Sequence, residues 1–200
     1  MEQFFLDLQP AIENAVRHAM EKIRLEIGKE RIYSAALVTD SDCVTLFLAV
    51  NTEEALARRD ESDRTPERLA ELREYWSEEL VSRVADGSFS LNRYVPDEWD
   101  YSDGTDSELN QVSRRLCEQE EALSDTDDDA YDEFREQFLE TVALAFETLR
   151  TEGVFGSEII CFISMSDDDL AAEIEDDSAR RLNTSEQYEQ FRTWSELFNG

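Results

Sequence analysis

Three observations predict an α+β fold, with a small, at least partly antiparallel sheet packed against several amphipathic helices. Two apolar runs between residues 31 and 50 are separated only by a short polar turn, so the strands they form must lie antiparallel. A third run, 158–164, stands alone far down the chain. Most other apolar residues recur every three or four positions, the period of a helix face.

Taken in order, Phe4, Leu8, Ile12, Val16, Met20 and Ile23 predict a long first helix that stops at Gly28. Ile32–Val38 and Cys43–Val50 flank Thr39-Asp40-Ser41-Asp42, a set of turn-forming side chains, and predict a hairpin. Thr52 with Glu53 and Glu54 opens a helix that the polar run Arg58 to Arg64 is expected to interrupt. Pro66 restarts one, with Leu69, Leu72, Trp76, Leu80 and Val84 on one face and Gly87 at its end. From Phe89 to Gly104 there is no clean period, which predicts an ordered aromatic loop with a short strand at Ser90–Tyr94. Helices follow at Glu108–Ser124 and along Phe134, Phe138, Val142, Phe146 and Leu149. Ile159–Ser164 is the third strand, and helices at Leu170–Ile174 and Ser185–Phe198 close the chain. At 200 residues, the chain fits one globular domain spanning 1–200.

Charge excludes some functions. Forty-nine Asp and Glu face 19 Lys and Arg, of which only Lys22 and Lys29 are lysine, for a formal net charge of −30. Such a surface repels phosphate and anionic lipid over about 8 Å at physiological salt, so nucleic acid and membranes are not expected partners. A basic protein is. The acids are spread along the whole chain and lysine is scarce, which also fits adaptation to a salty solvent. No apolar run approaches the roughly 18 residues of a membrane span. Cys43, Cys117 and Cys161 show no Cys-x-x-Cys spacing, which argues for a reducing compartment and a cytoplasmic protein.

Several side-chain groups could carry chemistry. Asp125, Asp127 and Asp129 with Glu136 stand at positions one, three, five and twelve of a calcium loop, although Ala130 occupies the position that asks for glycine. The alternative is an acidic helix start. Asp167, Asp168 and Asp169 follow the third strand, where carboxylates could hold Mg²⁺ in a small hydrolase or, with Ser166, cap the next helix. Tyr94, Trp99 and Tyr101 beside Asp97 and Asp100 would anchor a basic partner if exposed, and would be core packing if buried. His18 is the only histidine and reads as a helix-surface residue. Arg180 and Arg181 are adjacent cations expected to clamp neighbouring acidic elements. No nucleotide, zinc-protease or serine-hydrolase motif is present, so no cofactor and no catalytic residue is assigned.

Five stretches, Tyr33–Asp40, Asn51–Glu54, Arg93–Tyr101, Ile163–Asp167 and Glu175–Asn183, together resemble a bacterial family catalogued as domain of unknown function 4303. The resemblance runs in order along nearly the whole chain. It implies a bacterial cytoplasmic protein and supplies no catalytic residue. Size and acidity together are similar to those of immunity proteins that neutralise toxins. The expectation is therefore a non-enzymatic domain that binds a basic protein. A metal-dependent hydrolase and a salt-adapted housekeeping domain are the alternatives. Thermal unfolding in dilute buffer against molar KCl separates the charge readings. A strong rise in melting temperature with salt assigns the acidity to solvent adaptation; a folded, salt-indifferent protein assigns it to a local role.

Overall fold

A computed structural model describes residues 1–104, 107–123 and 128–199, the side chains of Asp128 and Asp129 excepted. Its centre is a four-stranded mixed sheet in the order β3-β2-β1-β4, formed by β1 (Ile32–Asp40), β2 (Phe47–Thr52), β3 (Tyr101–Ser102) and β4 (Ile160–Ser166). β1 and β2 form the expected antiparallel hairpin, although β2 begins at Phe47 rather than Cys43, and β4 joins β1 in parallel, Ser34 opposite Ile160. The α+β class holds, with a parallel pair added to the antiparallel part.

Helices cover both faces of the sheet, which is why β1 is buried along almost its whole length rather than on alternate residues. On one face Leu37, Leu48, Val50, Cys161 and Ile163 pack against α1 (Glu2–Ile27), α5 (Leu109–Glu121) and α6 (Asp128–Thr151). On the other, Ala36, Val38 and Phe162 meet α2 (Glu53–Asp63), α3 (Pro66–Leu72), α4 (Glu78–Asp86), α8 (Ser185–Asn199) and the aromatic loop. A bulge at Tyr33 turns that ring onto the second face, beside Ala36. There its hydroxyl donates to the Arg93 carbonyl at 2.5 Å and accepts from Asn51 Nδ2 at 3.1 Å.

Three local expectations are corrected. The polar run Arg58–Arg64 does not break α2, because its side chains serve neighbouring segments. Arg58 bridges Glu30 and Asp100, Asp60 accepts from Ser90 Oγ at 2.6 Å, and buried Asp63 accepts from Asn92 Nδ2 at 2.6 Å. The helix expected from Pro66 to Gly87 is two helices, since the Ser77 hydroxyl accepts from the Leu80 amide and caps a new start. The left-handed Gly87 that ends α4 sits against the Arg64 guanidinium, 3.2 Å from where a Cβ would stand. In the aromatic loop the strand lies at Tyr101–Ser102, and Leu91–Tyr94 is a turn. The indoles of Trp99 and Trp194 tie this loop down by donating to the carbonyls of Asn92 and Ser90, at 3.1 and 2.7 Å.

Phe162 is fully buried among Tyr94, Trp99 and Phe191, with ring centroids 5.0–6.2 Å apart. Phe162→Ala is expected to lower unfolding free energy by about 3–5 kcal/mol in urea titration, whereas exposed Leu25→Ala stays within about 0.5 kcal/mol.

Candidate functional site

The site begins at the outer edge of β4. Edge strands carry unpaired amides and carbonyls, and these require partners. α7 (Ala171–Leu182) and Asn183, the residue that caps its end, supply them from their side chains. Ser178 Oγ accepts from the Ile163 amide at 2.9 Å, and the Asn183 carboxamide both accepts from the Cys161 amide at 2.8 Å and donates to its carbonyl at 2.6 Å. Asn183 thus replaces one rung of a missing strand. α7 straddles the edge, placing Ala179 in one core and Leu182 in the other.

A groove of about 860 Å³ opens between α7 and α6, with Ile163 beneath it. Its floor is apolar, including Leu139, Ala143 and Ile174, and Leu170 stands half-exposed at its rim. Charged side chains form the walls, and every arginine among them is already answered. Arg135 pairs with Asp168 at 2.6 Å, and Arg180 pairs with Asp177. Arg181 reaches Glu140 at 2.6 and 2.9 Å and Glu147 at 2.7 and 3.1 Å. The guanidinium beside Glu140 holds that carboxyl below its ordinary range. Among the described residues, Asp132, Glu136 and Glu173 line the groove without a basic partner.

The expected sites fall differently. Asp125 and Asp127 lie outside the described residues. Asp129 and Glu136 are both on α6, so from Asp128 onward helix replaces the loop a calcium site needs. Glu136 is a groove-wall residue instead. Asp168, not Ser166 or Asp167, serves the α7 start, accepting from the Leu170 amide at 2.8 Å. Asp168 is therefore committed twice, to that amide and to Arg135. Asp167 takes left-handed backbone (φ 58°) and is exposed, as is Asp169.

Tyr94 and Trp99 are core residues, buried under the loop, and do not present their rings outward. Tyr101 is half-buried and its hydroxyl donates to Glu30 at 2.9 Å. Asp97 and Asp100 are exposed, Asp100 in an ion pair with Arg58. The five do not form one exposed patch, because hydrophobic burial claims the rings. His18 is exposed on α1 with Nδ1 2.9 Å from Glu108. Asp40 Oδ1 accepts from the Val44 amide at 2.9 Å, holding the hairpin turn.

Sequence reasoning missed the groove and Glu175. The signal was present: Ile174, Ser178 and Leu182 keep four-residue spacing, which extends the helix placed at 170–174 to its true end. Glu175 accepts from Ser164 Oγ at 2.6 Å, facing Asp97, and burial pushes its carboxyl up to about 7.

The geometry defines an acidic α+β protein with a mixed four-stranded sheet and an acid-walled groove beside its sealed edge. Its family is given by the model described as Domain of unknown function (DUF4303), which matches residues 12–184 and so takes in all four strands and Asn183. The chain belongs to this family. No curated protein and no solved structure matches it.

Two outcomes follow. Arg181→Ala unties α7 from α6 and is expected to cost about 1 kcal/mol, reduced by solvent screening, while Arg180→Ala, whose partner is on its own helix, stays within about 0.5 kcal/mol in thermal unfolding. Glu175 has a folded pKa above its unfolded 4.5, so folding takes up a proton. Its contribution is full below about pH 4.5 and is lost as pH rises through about 7. Glu175→Gln is therefore expected to gain about 2 kcal/mol over the parent between pH 5 and pH 8 in urea titrations.

Proposed function

We infer that this is a cytoplasmic, non-enzymatic binding protein whose partner is basic, such as a toxin domain or a nucleic-acid-binding protein that it neutralises in the manner of an immunity protein. One observation carries the reading: the arginines around the groove are consumed by the chain's own carboxylates, which leaves Asp132, Glu136 and Glu173 facing outward beside an apolar floor. Complementary charge of this kind steers encounter and selects partners, and the apolar floor supplies buried area. The acids elsewhere are distributed over every helix, which favours adaptation to concentrated salt as a second reading.

The test is affinity capture on the immobilised chain in 150 mM KCl, followed by calorimetric titration of the purified captured protein. A basic protein binding one-to-one with Kd below about 1 μM is expected. Capture of nothing, or of proteins that bind no tighter than cytochrome c, overturns the reading.

A further inference from the structure

We propose that the α6–α7 groove seats a short amphipathic helix with an apolar stripe and lysine or arginine on its flanks. This rests on the binding reading above and names the shape and chemistry of the partner segment.

Three observations carry it. The first is length. Asp132 and Ala143 mark the groove along α6, and eleven residues of helix span about 16 Å, so the trough accommodates about three turns of a second helix. The second is the mode of docking. A partner strand would need the free edge of β4, and at Cys161 and Ile163 that edge is taken by Asn183 and Ser178. At the far edge of the sheet β3 is only two residues long. Strand addition is therefore disfavoured, while two helices with an apolar floor between them offer the helix-in-groove arrangement.

The third is charge. Asp132 and Glu136, one turn apart, stand on one wall, and Glu173 stands on the other. A seated helix with an apolar stripe toward Leu139, Ile174 and Leu170 would bring its flanking cations against these carboxylates. Arg135, Arg180 and Arg181 do not oppose this, because Asp168, Asp177, Glu140 and Glu147 already neutralise them. An acidic or uncharged segment would gain the floor but would leave the three acids unanswered or repelled.

The probe is an 18-residue leucine–lysine peptide of amphipathic helical phase. Its control is a peptide of identical composition in scrambled order. Both are titrated in 150 mM KCl against the parent chain, Leu170→Asp and Glu136→Lys/Glu173→Lys. Leu170→Asp discriminates well: it adds a negative charge, which simple charge attraction would reward. Leu170 is half-exposed at the groove rim, so its replacement opens no cavity in the core.

The expected result is that the amphipathic peptide binds the parent at least tenfold tighter than the scrambled one. Leu170→Asp should weaken it at least fivefold, and the double lysine variant at least tenfold. If both peptides bind equally and Leu170→Asp binds as tightly as the parent, the groove inference is overturned while the acidic binding reading stands. If neither peptide binds, the groove inference fails, and the capture experiment alone decides the broader reading. Unchanged melting temperatures of the variants confirm that lost binding is not lost fold.

Discussion

The sealing of β4 is the constraint on which the rest of the architecture depends. A sheet covered on both faces still has two edges, and here one is reduced to the short β3 while the other is closed by side chains. Because Ser178 and Asn183 must reach the amides and carbonyls of Ile163 and Cys161, α7 cannot settle on either face of the sheet. It lies along the edge, and Arg181 then spans to Glu140 and Glu147 on α6. The groove opens between these two helices. A single polar requirement, the satisfaction of edge backbone groups, thus sets the position of a concave surface that combines apolar floor and acidic wall.

The same economy governs charge. In a chain with so few cations, some arginines serve two acids with one guanidinium: Arg58 lies between Glu30 and Asp100, Arg181 between Glu140 and Glu147. A planar fork can do this, and an ammonium cannot do it as well, which gives a physical reason for arginine over lysine beyond any solvent effect. The Arg58 guanidinium, with help from the Thr52 hydroxyl, holds the Glu30 carboxyl down at about 2. These pairs tie α2 to the aromatic loop and α7 to α6.

Elements with a strong period were legible in the sequence. The long first helix, β1 and the lone third strand stand where apolar spacing placed them, because tertiary burial and local pattern agree there, while the hairpin's second strand begins at Phe47 rather than Cys43. What was not legible lay where polar side chains do structural work. Arg58–Arg64 looks like a break because its residues are charged, yet those charges answer groups from distant loops. Asn183 looks like a helix end, and is one, but its role as a strand substitute depends on Cys161, 22 residues earlier. The aromatic loop could be read as exposed or buried, and only the presence of Phe162, Phe191 and Trp194 decides for the core. The groove was invisible because it belongs to no single segment.

The central strand also sets the order in which the protein can assemble. β1 meets β2 through the short connection 41–46, but its other neighbour contributes Ile160, 126 residues after Ser34. Pairing β1 with β4 has to close a loop of that length, whereas pairing it with β2 closes only the short connection 41–46. During synthesis the ribosome must deliver most of the chain before the β4 flank of β1 can be filled. An unpaired apolar strand invites pairing with other nascent chains. Strong like charge on every copy opposes such encounters, so the acidity that shapes the finished surface also acts as a guard against aggregation while the sheet is incomplete.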